Sequence, residues 1–260
     1  MMRGRKVTAQ AVSHYRSCSK VWLKRGSDPI MAERVPLIVL RLEGPWQAWG
    51  DHSKWDERDS GDFPTKSGVV GLLACAMGLE RGNREVVALS DAIHMVVRAD
   101  RPGTRVVDYQ TVQGRPRLYT AENGARAADK SGIVSYRWYL EDASFLVLLA
   151  TDEQWRERIV SGLKAPRWPV YLGRKSCVPS RPVFECVTMD YDGLTSALMR
   201  YPLAVRSEGR YLRYESDVAI PGASRNTRAD ALVHAERGFA LRTVYTGVVK
   251  REVVNVSDKN

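Results

Sequence analysis

The stretch Val35-Pro-Leu-Ile-Val-Leu-Arg-Leu42 decides the fold. Its apolar, β-branched run is interrupted only by Pro36 and Arg41, the pattern of a strand buried on both faces. A polar, glycine-containing loop follows over residues 43–63, and Pro64-Thr65 then opens a helix. Thr65 is a good N-cap, and the run to Leu79 is apolar with small residues at Gly68, Gly71, Ala74 and Gly78, which permits close packing on a sheet.

Further strands are expected over residues 93–98, 145–150 and 183–189, with helices over 84–90, 152–163 and 194–200. Residues 101–138 are polar, turn-rich and basic, with seven Lys/Arg against three acids, and read as a long projecting hairpin or lobe. The order strand, helix, strand, lobe, strand, helix, strand is that of a ferredoxin-like βαββαβ unit, an α+β class. From residue 201 onward the pattern is strand-like and turn-broken, a C-terminal β-rich extension to residue 260. The expected domain is therefore 35–200, preceded by a basic extension over 1–34.

That extension bears on the charge. The chain has 260 residues, a net charge of +10 and a pI near 9.6, a balance that favours polyanionic partners. Eight Lys/Arg against two acids in residues 1–34 supply more than half of the excess. Met31 stands just before the first convincing strand. It reads as the natural start of translation, with an over-extended gene reading before it; the alternative is a basic arm touching RNA or a partner.

The remaining composition excludes several classes. The longest nearly apolar stretch, residues 69–79, is too short to span a bilayer, and the basic N-terminus has no apolar segment behind it. A soluble cytoplasmic protein is expected. Cys18, Cys75, Cys177 and Cys186 contain no CxxC pair, and His14, His52, His94 and His234 show no ligand spacing, so neither a metal nor a cofactor is expected. The segment Gly61-Asp-Phe-Pro-Thr-Lys-Ser-Gly68 looks like a phosphate loop but carries Thr65 and Ser60 where that motif needs glycines. A capped helix N-terminus with Lys66 and Ser67 still suits a backbone phosphate, but on this fragment alone a plain capped helix with a solvated lysine is the better reading.

Three other features suit single-stranded RNA. Trp46, Gln47 and Trp49 lie in the loop Gly44-Pro-Trp-Gln-Ala-Trp-Gly50, near Arg41 and Arg58, and offer π faces and amide edges to unstacked bases. The turn Tyr171-Leu-Gly-Arg-Lys-Ser-Cys177 offers adjacent cations, a hydroxyl and a glycine to a phosphate. Residues 164–181 hold five basic side chains and no acid. For catalysis the inventory is thin. His52, Lys54 and Tyr109 are the candidates for metal-independent RNA cleavage, which needs a base for the 2′-OH and an acid for the leaving oxygen. Packing and solvated turns account equally well for the tryptophans and the cationic turn.

Taken together, Arg41-Leu-Glu-Gly-Pro-Trp-Gln-Ala-Trp-Gly50 and Phe63-Pro-Thr-Lys-Ser-Gly-Val-Val-Gly-Leu-Leu73 closely resemble the N-terminal signature of the CRISPR-associated Cas-five family, in its type I-E branch, within the RAMP superfamily. Asp108-Tyr-Gln-Thr-Val-Gln-Gly114, Arg137-Trp-Tyr-Leu-Glu-Asp-Ala-Ser-Phe145 and Pro169-Val-Tyr-Leu-Gly-Arg-Lys-Ser-Cys177 follow in the family's order. The resemblance covers roughly residues 35–200 and is looser beyond.

It implies a ferredoxin-like, RRM-like core with an inserted β-hairpin thumb at 101–138. It further implies a non-catalytic subunit of a Cascade surveillance complex that caps the 5′ handle of the guide RNA (crRNA) in antiviral defence. The backbone subunit and the large subunit are the implied protein partners, with target DNA reached through the complex and no membrane. The implied RNA contacts are Trp46, Gln47, Arg58, Lys66, Ser67, Tyr109, Arg115, Tyr171, Arg174, Lys175 and Ser176. A sister branch, type I-C, cleaves precursor guide RNA itself, so an endoribonuclease is the alternative.

Overall fold

The computed structural model of the protein describes residues 34–50, 57–112, 117–119, 125–127, 133–203, 211–234 and 238–250. The expected N-terminal extension, Arg34 apart, lies outside them, as do His52, Lys54 and Arg115. The described residues form a mixed α/β structure built on antiparallel sheets.

β1 (Leu37–Glu43) is the strand read from the opening stretch, and its first six residues are buried. It lies between β9 (Ser144–Ala150) and β10 (Phe184–Thr188), antiparallel to both. β9 also pairs antiparallel with β4 (His94–Arg101). Beyond β4 come β11 (Tyr211–Ser216), β13 (Gly238–Lys250) and β12 (Ser224–His234), so the main sheet has seven strands in the order β10-β1-β9-β4-β11-β13-β12. The C-terminal strands thus continue the main sheet from the β4 edge.

Period-two alternation sends side chains to two faces. Ile38, Leu40 and Leu42 share a core with α1 (Lys66–Met77) and α3 (Glu153–Lys164), to which α2 (Arg84–Ala92) adds Leu89. Thr65 caps α1 by accepting from the Gly68 N–H at 3.1 Å, and Gly78, at φ +75°, ends the helix. The small residues of α1 serve unequally. A Cβ on Gly68 would meet the Trp49 ring at 2.9 Å, whereas one on Gly71 would meet nothing within 4 Å. Asp152 caps α3 through the Trp155 N–H at 2.9 Å.

Leu37 and Val39 face the other way, into a second core with Leu194, Ala197 and Leu198 of α4 (Leu194–Arg200) and with Leu212 and Tyr214 of β11. Arg41 shares this face and is 1% exposed. Its guanidinium donates to Asp100 and Glu185 and to the Pro202 carbonyl. Arg98 bonds Asp100 as well, and reaches the carbonyls of Leu198 in the last turn of α4 and of Tyr201 just beyond it. Burial alone would lower the Arg41 pKa, but Asp100 and Glu185 more than offset it and hold the charge. Arg41 is therefore a buried cross-brace. α4 thus covers the face of the main sheet that carries Leu37 and Val39.

A second sheet is built on β8 (Ile133–Glu141), the returning strand of the expected hairpin. Its outgoing partner is β5 (Thr104–Val112), paired in register from Thr104↔Glu141 to Val112↔Ile133. Between them β6 (Arg117–Tyr119) and β7 (Ala125–Ala127) form a small antiparallel pair. The opposite edge of β8 receives two short strands end to end. β2 (Trp46–Gln47) pairs antiparallel at Leu140–Glu141, and β3 (Glu57–Arg58) pairs parallel at Tyr136 and Arg137. Among the described residues no helix is long and apolar enough to cross a membrane.

Candidate nucleic-acid interface

The cationic turn is locked to the tryptophan loop by its backbone. Gly173 adopts φ +87°, and a Cβ there would fall 1.7 Å from the Ala48 carbonyl oxygen. No L side chain is tolerated at such an approach, so the glycine is required by both conformation and space. The Ala48 N–H donates to the Leu172 carbonyl at 3.0 Å, and within the turn Cys177 N–H donates to Arg174 O at 2.8 Å. Burial raises the pKa of the Cys177 thiol, which sits inert behind the turn.

Arg174 ties this unit to the second sheet. Its Nη1 donates to the Trp138 carbonyl at 3.0 Å, and its Nη2 to the carbonyls of Arg58 at 2.9 Å and Asp59 at 3.1 Å. The guanidinium lies 4.7 Å from the Tyr139 ring centroid, and Tyr139 in turn packs 4.7 Å from Trp46. Arg174 thus acts as a clamp among three segments far apart in sequence, with most of its donors committed. The exposed polar groups of the turn are Lys175 and Ser176, with Tyr171 half-buried before them.

The register of β3 on β8 sets Arg58 directly beside Arg137. Like charges at adjacent positions repel, and an anion between them relieves the repulsion. Arg58 is exposed and Arg137 half-buried, its Nε 3.3 Å from the Ser135 hydroxyl. Asp108 is the cross-strand partner of Arg137 on the β5 side, and its carboxylate accepts from the Gln110 amide at 2.6 Å. Arg137 was not among the expected contacts. It lay in a quoted segment, but only strand register reveals that it neighbours Arg58. Tyr109 is exposed and meets Tyr136 edge to face at 5.5 Å, on the β8 face opposite to Arg137.

Two of the expected contacts are engaged within the chain. Gln47 is fully buried: its amide donates to the carbonyls of Leu42 and Ala143 at 3.0 and 2.9 Å and accepts from the Trp49 indole at 3.1 Å. The alternation of β2 sends Gln47 inward and leaves Trp46, 36% exposed, outward. Lys66 is equally committed, its Nζ donating to Ile93 O at 2.8 Å and to Asp217 at 3.0 Å. The N-terminus of α1 is filled too, since the Lys66 N–H donates to the Asp230 carboxylate. Ser67 is half-buried, 3.5 Å from the Thr65 hydroxyl. The helix terminus that looked suited to a phosphate already holds an anion supplied by β12.

The profile of the family described as CRISPR-associated protein (Cas_Cas5) matches residues 37–245. The CRISPR system Cascade subunit CasD of Escherichia coli (strain K12) is 36% identical over 221 residues, covering 80% of this chain and 94% of that protein. A chain of a solved CRISPR RNA-guided surveillance complex superposes with a TM-score of 0.67 at 28% identity, covering 82% of this chain and 90% of the other. A solved Cas protein superposes with a TM-score of 0.62 at 32% identity, over 82% and 95% of the two chains. The chain belongs to the CRISPR-associated protein (Cas_Cas5) family.

Proposed function

We propose that this chain is a non-catalytic subunit of a type I-E CRISPR Cascade surveillance complex, where it binds and caps the 5′ handle of the guide RNA. The observation that carries the reading is the likeness to a Cascade CasD subunit along nearly that protein's whole length. The geometry supports it independently: the tryptophan loop, β3, the middle of β8 and the cationic turn converge on one surface. On that surface Arg58 and Arg137 hold a backbone phosphate, and Lys175, Ser176 and Tyr171 flank it. Such contacts position RNA without reading its sequence.

In this reading the core is ferredoxin-like. The antiparallel order β10-β1-β9-β4, with α1 between β1 and β4 and α3 between β9 and β10 along the chain, supports that assignment. The β5–β8 hairpin is its thumb, and Tyr109 and Tyr136 lie on the thumb's exposed face. Backbone and large subunits of the complex are the protein partners, target DNA is met through them, and the assembly is cytoplasmic.

The test is co-expression with the other subunits and recovery of the complex through a tag on this chain. Guide RNA should co-purify with the wild type and be lost with Arg58→Glu/Arg137→Glu. Unchanged guide RNA in the double variant would refute the placement, and its absence from the wild type would refute the function. Labelled precursor RNA incubated with the chain in EDTA should stay intact; site-specific cutting would establish the endoribonuclease alternative instead.

A further inference from the structure

Beside the cationic turn, Pro45, Trp46, Ser176 and Val178 line an open cavity of about 370 Å³. Three of its four walls are apolar, and the fourth is a hydroxyl that can donate or accept. These walls are held in place. Gly44 packs against the Val178 carbonyl so closely that a Cβ would lie 2.7 Å from it, and the Pro45 carbonyl accepts from the Asp142 N–H at 3.0 Å. The Trp46 indole is fixed twice over. Its ring rests on Tyr139, itself under Arg174, and its neighbour Gln47 is anchored by three buried hydrogen bonds.

A rigid aromatic wall in an open apolar pocket suits a planar ring. The turn that supplies Ser176 also presents the exposed Lys175 next to it, which favours an anionic owner for the ring. An unstacked nucleobase meets both conditions, since every base has a π face and carries a phosphate beside it. We propose, resting on the guide-RNA reading above, that this pocket receives one splayed base of the guide RNA stacked on Trp46. Ser176 bonds the base edge. The ladder Trp46–Tyr139–Arg174 makes Arg174 a positioning residue for the stack, not a phosphate ligand.

The experiment uses the full chain and a set of RNAs matching the repeat-derived 5′ end of the guide, each abasic at one position. Wild type should bind the intact RNA about ten-fold more tightly than the RNA abasic at one particular position, the scale of one base–aromatic stack. Trp46→Ala should lose the same factor on the intact RNA and be indifferent to that abasic position, whereas Trp46→Phe should keep most of the affinity. Because Trp46 supports Tyr139, a second variant guards against misfolding. Val178 is 63% exposed, and Val178→Phe should fill the pocket and cost binding at the same position. Intact RNA bound equally by wild type and Trp46→Ala, or losses spread evenly over all abasic positions, overturns the base site while leaving guide-RNA binding standing. A wild-type chain that binds none of the RNAs overturns the guide-RNA reading itself.

Discussion

Asp230 of β12 accepts a hydrogen bond from the backbone N–H of Lys66 at 2.8 Å, so the start of α1 is closed by a carboxylate from the far edge of the main sheet. The same carboxylate pairs with Arg242, which also pairs with Asp217, the partner of the Lys66 ammonium. Asp230 is 3% exposed, so its loss leaves buried donors without their anion. Asp230→Ala should lower the unfolding free energy by about 3 kcal/mol, read by urea denaturation. Lys66→Ala should also destabilise, yet leave guide-RNA affinity per folded molecule unchanged. Loss of RNA with full stability would restore Lys66 as a contact.

Gly173→Ala tests the lock between turn and tryptophan loop. The variant combines a positive φ with a Cβ 1.7 Å from a backbone oxygen, and backbone on both sides leaves no flexible side chain to yield. A cost of at least about 2 kcal/mol is expected, seen as a lower midpoint in thermal unfolding. The surviving folded protein should bind guide RNA weakly, because Lys175, Ser176 and the pocket wall move with the turn. An unchanged midpoint would show that the turn does not need this approach.

Much of this was legible in local patterns, and the limits have a physical origin. Thr65 as cap and the two-sided burial of β1 follow from residues adjacent in sequence, where periodicity and turn chemistry act. Whether a cation is spent or available does not. Lys66 and Arg174 look alike on the page, and each is committed by partners more than 20 residues away, at Ile93 and Asp217 in one case and at Arg58, Asp59 and Trp138 in the other. Arg41 is the clearest instance, since its position in a strand already implied burial, and only Asp100 and Glu185 make that burial tolerable.

Salt dependence separates the arginines that touch phosphate from the one that positions the site. Each phosphate contact on single-stranded RNA adds about 0.7 to the slope of log affinity against log salt. The double variant Arg58→Ala/Arg137→Ala, which frees the one phosphate the pair holds, should reduce that slope by about this amount. Arg174→Ala should weaken binding through loss of the clamp while keeping the slope of the wild type. A slope reduced by Arg174→Ala as far as by that double variant would make Arg174 a direct phosphate ligand.

Glu215 on β11 gives the fold a pH signature. Burial pushes its pKa above the ordinary carboxylate range, against the opposing pull of Arg228, 2.6 Å away, and Arg242. The folded chain therefore holds this proton more tightly than the unfolded chain does. Its contribution to stability is complete below the ordinary carboxylate value and is lost as pH rises through the raised folded value. Glu215→Gln keeps a hydrogen-bonding group toward Arg228 but cannot titrate. The difference in unfolding free energy, wild type minus variant, should consequently fall as pH rises from about 4 upward, with other titrating groups cancelling between the two proteins. Urea unfolding at a series of pH values measures it. A difference that grows with pH would mean that the two arginines outweigh burial and that the carboxylate is held ionised in the folded chain.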